Sequence, residues 1–218
     1  MNQNRLRVKG IFLDLDGTIV DSTDAYIEAA VLAFKALGKV PPQTHLLLEI
    51  PRRMEQHLTI DDITENCTQK FMPIYLQAFR SITERKTKLL PNTAATLQAL
   101  AKNMKLALIT MRHVSNQVIQ KELDYHGIAQ YFTHIVTGLD TPKPKPAPEA
   151  LIRCKNALNL EMCDCLIAGD SVIDIRAGKA AGAATVAVLS GLFGREALAK
   201  EKPDLILQDL TLLPQFIE

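Results

Sequence analysis

The chain carries no surplus of charge, no long apolar run and no cysteine framework, and each absence removes a class of function. Lysines and arginines number 25 against 24 acids, so no global field draws the protein to nucleic acid or to an anionic membrane. An anionic ligand must then be caught by charge placed locally. No apolar stretch approaches the ~20 residues that a membrane span requires, and the start, MNQNRLRVKG, lacks the apolar segment of a signal peptide. The expected location is therefore the cytoplasm. Cys67, Cys154, Cys163 and Cys165 match neither a zinc spacing nor a compact disulfide frame, so reduced, structural thiols are expected. Internal repeats and low-complexity tracts are also missing. What is there, 47% hydrophobic and 22% charged residues over 218, suits one large globular domain or a core with an inserted one.

Short apolar runs recur: GIFLDL at 10–15, KLALIT at 105–110, HIVTG at 134–138, CLIAGD at 165–170, ATVAVL at 184–189 and DLILQ at 204–208. They are continuous rather than alternating, as strands buried on both faces require. Helical patterns lie between them over 113–126, ending at Gly127, over 147–158 and over 172–182. This alternation predicts an α/β fold, a Rossmann-like parallel sheet with helices on both faces, over residues 1–20 and 90–218. The segment 21–89 differs. Ile27, Ala30, Val31, Phe34 and Leu37 form a helical stripe ending at Gly38, and Phe71, Ile74, Phe79 and Ile82 form another, with Pro73 as a kink or a fresh start. No strand pattern appears there, which predicts a small inserted helical domain joined by linkers near 17–22 and 85–91.

The first strand raises a chemical question, because it delivers Asp14 and Asp16 directly before Gly17. In extended backbone, residues two apart share a face, so both carboxylates project at the C-terminal end of the sheet while Leu15 turns inward. Two like charges this close need a cation or a shared proton, and hard oxygen ligands suit Mg²⁺. Gly17 permits a sharp exit and a close backbone approach to a ligand. The plainer explanation is a turn made by its usual residue types. A second strand, CLIAGD, ends on Asp170 with Asp174 four residues on, a pair that reads either as helix capping or as the rest of a metal site. In DTPKPKPAPEAL, prolines hold Lys143 and Lys145 on a stiff loop ahead of a helix. Thr110 follows KLALI at another strand end, where a hydroxyl and the next backbone N–H would suit a phosphoryl oxygen.

DLDGT at 14–18, Thr110, Lys145 within KPAPE and GDSVID at 169–174 together resemble the four motifs of the haloacid dehalogenase superfamily, across nearly the whole chain. The insertion after the first motif and the phrase DGTIVDS resemble the phosphoglycolate phosphatase and β-phosphoglucomutase branch, whose helical insertion is a cap. The resemblance implies that Asp14 is the nucleophile, forming an aspartyl-phosphate, and that Asp16 is the general acid and base. It further implies Mg²⁺ held by Asp14, by Asp16 through its backbone carbonyl, and by Asp170, with Asp174 a ligand or an orienting group. Thr110 and Lys145 would stabilise the transferring group, with Gly17, Thr18 and Met111 at the substrate phosphate. Lys143 also fits the third motif, but Lys145 leads directly into the helix. After Thr110 many relatives have asparagine or glycine; here Met111 retains only a backbone contact, and Arg112 either binds a substrate anion or sits in solvent.

In the inserted segment, Arg52 and Arg53 follow Pro51 near an expected turn, with His57 one helical turn on; they are candidate substrate-binding cations or a solvated basic pair. His45, His113, His126 and His134 have no ligand-like spacing. The function implied is a Mg²⁺-dependent phosphatase of a small phosphorylated metabolite, with no nucleic-acid or membrane partner and an oligomeric state the sequence does not reveal. Pyrophosphatase, sugar phosphomutase and a non-catalytic phosphate-binding module are the alternatives.

Overall fold

The computed structural model describes residues 5–218, with the backbone alone at 84–86; residues 1–4 of the start discussed above lie outside the described residues. The strands are β1 (Gly10–Leu13), β2 (Val20–Asp21), β3 (Lys88–Leu89), β4 (Lys105–Ile109), β5 (Phe132–Val136), β6 (Cys165–Gly169), β7 (Ala184–Val188) and β8 (Leu205–Leu207). The helices are α1 (Thr23–Ala36), α2 (Thr44–Glu55), α3 (Asp61–Thr64), α4 (Thr68–Lys86), α5 (Thr93–Leu100), α6 (Asn116–Tyr125), α7 (Glu149–Leu158), α8 (Val172–Ala181) and α9 (Arg195–Lys200). The chain divides into two compact units, Met1–Val20 with Leu89–Glu218, and Asp21–Lys88.

The larger unit is built on a parallel six-stranded sheet in the order β5-β4-β1-β6-β7-β8. Both faces of this sheet are covered. Ile11 and Leu13 of β1 join Leu106 and Leu108, Leu166 and Ala168, and Ile119 and Leu123 of α6 on one side. Phe12 joins Ala107, Ile109 and Ile167 with Leu151, Cys154 and Leu158 of α7 on the other. Consecutive residues thus bury on opposite faces, so each strand is apolar throughout and reads as a continuous run. The strand order places β1 in the centre, with the chain running outward to β5 on one side and to β8 on the other. The point where that order reverses, at the C-terminal ends of β1 and its neighbours, is where open α/β sheets bind ligands.

The smaller unit consists of α1 to α4 packed about Phe34, Ile50, Phe71 and Tyr75. Aromatic rings account for much of this core: Tyr26 stacks on Phe79 at 4.7 Å, and Phe34 tilts against Phe71 at 4.9 Å. The stripe expected on α1 packs into this core, with Ala30 and Phe34 buried and Ile27, Val31 and Leu37 partly covered, and Ala25, Ala29 and Ala33 widen it. The expectations for two prolines are corrected. Pro73 does not interrupt α4, and Pro51 lies within α2 instead of marking a turn. Pro51 lacks the N–H that would reach back along the helix, but its ring is buried, an apolar gain set against that lost bond. Two short strands, β2 and β3, pair at the positions expected to be linkers; two residues carry no readable period.

The four cysteines are free thiols, with Cys154 and Cys165 buried, Cys67 half-buried and Cys163 exposed. Burial pushes the Cys154 thiol up to about 12 and that of Cys165 up to about 11. A maleimide at neutral pH is therefore expected to label Cys163 ahead of the rest, and Cys154 and Cys165 only after denaturation, as read by mass spectrometry; labelling of Cys154 at the rate of Cys163 in native protein would contradict this packing.

Candidate active site

Asp14 follows the last residue of β1 and is buried, its N–H donating to the Ala168 carbonyl of β6 at 3.0 Å. Leu15 turns into the core, and Asp16 emerges beyond it. Gly17 takes a φ of +80° and donates its N–H to the Val20 carbonyl at 2.8 Å, closing a tight exit from the strand. The same glycine must also be small: a Cβ there would lie 2.6 Å from an Asp170 carboxylate oxygen. Gly191, past the end of β7, faces Asp170 from another direction, where a Cβ would collide with the carboxylate.

Asp170 follows β6 directly, and its Oδ2 accepts the Leu192 N–H at 2.9 Å. Ser171 caps α8, and Asp174 completes a capping box by accepting the Ser171 N–H at 3.2 Å. The other oxygen of Asp174 accepts from Lys145 Nζ at 2.5 Å, while Lys145 also donates to Asp14 at 2.6 Å. Asp174 thus caps α8 and pairs with Lys145 at once. Lys145 is almost wholly buried against the carboxylates of Asp14 and Asp174, whereas Lys143 is exposed.

Asp14, Asp170 and Asp174 bring carboxylate oxygens within 4.8 Å of one another, all buried. Lys145 is paired with two of these carboxylates, Asp14 and Asp174. Burial pushes the Asp14 carboxyl well above its ordinary range; Lys145 pulls it back, and Asp174 and Asp16 push it further up. Burial alone would lower the Lys145 ammonium, but Asp14 and Asp174 outweigh it and hold the proton on more firmly than in water. An all-oxygen set of three carboxylates fits a hard divalent cation. The Asp16 carboxylate stands outside this cluster, and none of the chain's histidines belongs to it.

Thr110 is buried at the end of β4, with its N–H on the Val136 carbonyl and its Oγ1 accepting the Arg112 N–H at 3.2 Å. Met111 is partly covered, packed against a cluster that includes Val172 and Ile173 of α8. Thr18 is buried, and its Oγ1 has no hydrogen-bond partner among the described residues. Arg112 does not sit in solvent. Its Nε and Nη2 donate to the two oxygens of Asp16 at 2.8 and 2.5 Å, and its Nη1 donates to Glu122 of α6 at 2.6 Å. Within the smaller unit, Arg52 is ion-paired with Glu49, and Arg53 contacts Asp62 at 2.7 Å, so neither is a cation standing open in solvent. The sequence reading missed the Arg112 clamp and the loop after β7, where Ser190 Oγ donates to the Gly17 carbonyl at 2.7 Å. The glycine of SGLFG just past a strand end was the available signal for that loop.

Removing one partner from a buried ion cluster leaves the others uncompensated. Lys145→Met in the metal-free protein should therefore cost about 3–5 kcal/mol of stability in a denaturant titration. Because a carboxyl with a raised folded-state value stabilises the fold below its unfolded value and loses that contribution as pH rises through the folded one, the deficit should shrink toward acid pH. A loss under about 1 kcal/mol, unchanged with pH, would contradict the placement of Lys145.

The sequence matches the family model described as haloacid dehalogenase-like hydrolase over residues 11–188. It is 30% identical over 233 residues to a phosphoglycolate phosphatase of Escherichia coli (strain K12), covering 95% of this chain and 92% of that one. A phosphoglycolate phosphatase of Vibrio vulnificus is 29% identical over 218 residues, with 94% of each chain covered. Among solved structures, a predicted phosphoglycolate phosphatase from Haemophilus somnus superposes with a TM-score of 0.77 at 25% identity, over 96% of this chain and 97% of that one. With its parallel sheet, its aspartates at two adjacent strand ends and a match spanning most of its length, the chain belongs to the haloacid dehalogenase-like hydrolases.

Proposed function

We propose that the protein is a Mg²⁺-dependent phosphatase of a small phosphomonoester, with phosphoglycolate as the first candidate, acting in the cytoplasm through a phosphorylated Asp14. The observation that carries this is the position of Asp14, buried at a central strand end against Lys145, with two further carboxylates beside it. In the first half of the reaction an Asp14 oxygen attacks phosphorus, and the bond from phosphorus to the alcohol oxygen breaks. The departing oxygen keeps the electron pair and takes a proton from Asp16. In the second half water attacks the aspartyl-phosphate, Asp16 accepts its proton, and the Asp14 carboxylate is regenerated as phosphate leaves.

Asp14, Asp170 and the backbone carbonyl of Asp16 would hold Mg²⁺, with Asp174 a further ligand or the group that orients Lys145. When bound, the ion offsets charge on the phosphoryl oxygens. Lys145 and the Thr110 hydroxyl supply further positive potential, and the backbone N–H of Met111 with Gly17 and Thr18 would receive the remaining oxygens. The unpartnered Thr18 hydroxyl supports that role. We assign residues 21–88 as the cap that selects the substrate, in which Arg52 and Arg53 would serve a substrate anion only by leaving Glu49 and Asp62. No described helix is long and apolar enough to cross a membrane, in keeping with a soluble substrate.

Phosphate release measured over phosphoglycolate, pyrophosphate, hexose phosphates and nucleotides should show one strong response that EDTA abolishes. Asp14→Asn should fold normally and lose at least about 10³-fold in kcat. Near-normal turnover by that variant would remove Asp14 as nucleophile, and silence of the wild type across the panel would overturn the phosphatase assignment.

A further inference from the structure

Arg112 is buried and ion-paired with two carboxylates. Its side chain is 6% exposed, as is that of Glu122, and the Asp16 side chain is 14% exposed. The backbone of Arg112 is tied at both ends, its N–H to Thr110 Oγ1 and its carbonyl to the Gly138 N–H at 3.0 Å. The guanidinium meets Asp16 edge on, with one N–H for each oxygen, and its third donor goes to Glu122. A planar fork on a carboxylate fixes the direction of the carboxylate plane, which a single-point donor such as lysine does not. Glu122 in turn fixes the rotation of the guanidinium.

Resting on the phosphatase reading above, we propose that Arg112, braced by Glu122, is the positioning residue that aims Asp16 for its proton transfers, above all at the water that hydrolyses the aspartyl-phosphate. The reaction separates this role from general support of the fold. With p-nitrophenyl phosphate the leaving p-nitrophenolate departs without a proton, so transfer of the phosphoryl group to Asp14 does not need Asp16. Hydrolysis of the phosphorylated Asp14 needs it whatever the substrate: the water proton goes to Asp16, the new bond forms from water oxygen to phosphorus, and the bond from phosphorus to Asp14 breaks with its electron pair returning to the carboxylate. With an alkyl phosphate such as phosphoglycolate, both halves need Asp16.

The test uses Arg112→Met and Arg112→Lys in the full-length protein with Mg²⁺. Arg112→Met with p-nitrophenyl phosphate should release p-nitrophenol in a burst of about one per chain and then turn over about 10²-fold more slowly than wild type, the size of a lost general base. Acid quenching with labelled substrate should find phosphate covalently bound to most chains in that variant and to few in the wild type. With phosphoglycolate the variant should show no burst and a lower kcat at little changed KM. Arg112→Lys, which keeps the charge and spares the fold, should restore part of the slow phase, and Glu122→Gln should show a milder form of the same burst.

Steady-state rates within about threefold of wild type in Arg112→Met and Arg112→Lys would overturn the assignment, as would slowing without a burst or a bound label in Arg112→Lys. If the wild type hydrolyses neither substrate, the phosphatase reading itself fails and this role falls with it; that outcome is read before any variant is made.

Discussion

The Lys145 ammonium, held between Asp14 and Asp174, is the interaction on which the remaining geometry depends. Carboxylates at the ends of buried strands are costly, and the sheet can present them only where charge returns. Lys145 returns part of it, from a loop stiffened by prolines and buried with its side chain. Through Asp174 the same lysine is linked to the first turn of α8, so a helix cap, a strand end and a loop from the other side of the sheet order are fixed by one cation. Three carboxylates gathered beside this ammonium are the physical basis for the proposed metal, and the metal for the proposed phosphate.

A second compensated carboxylate lies beside the first and is built differently. Asp14 is matched by a point charge and by the room for a cation, whereas Asp16 is matched by a planar fork that sets its direction. In the proposed mechanism the two environments divide the work of two aspartates only two residues apart: one would be kept available to attack, the other aimed to move a proton. Gly17 makes this division possible, since its left-handed turn and missing Cβ let the chain leave the strand while Asp170 closes in.

Much of this was legible in the sequence, because buried parallel strands are written as unbroken apolar runs and the charged residues at their ends stand out against them. GIFL, KLALI and CLIAG became strands, and Asp14, Thr110 and Asp170 sit at their ends as expected. Lys145 was separable from Lys143 only by its lead into α7, and burial supplies the reason. Arg112 was misread because nothing local distinguishes an arginine that reaches 96 residues back to Asp16 from one in solvent. Pro51 was misread because local propensity disfavours a proline inside a helix, while burial of its ring in the smaller unit offsets that cost; Pro73 is exposed, and no packing accounts for its place inside α4. Ala25, Ala29 and Ala33 of α1 were missed because alanine carries little hydrophobic signal, though it lets helices approach closely.

That Asp14, Asp170 and Asp174 form a divalent-cation site is the central claim, and calorimetric titration of Mg²⁺ into the wild type and Asp170→Asn tests it most directly. The wild type should bind the ion and the variant should bind it far more weakly. No binding by the wild type, or equal binding by Asp170→Asn, would contradict it.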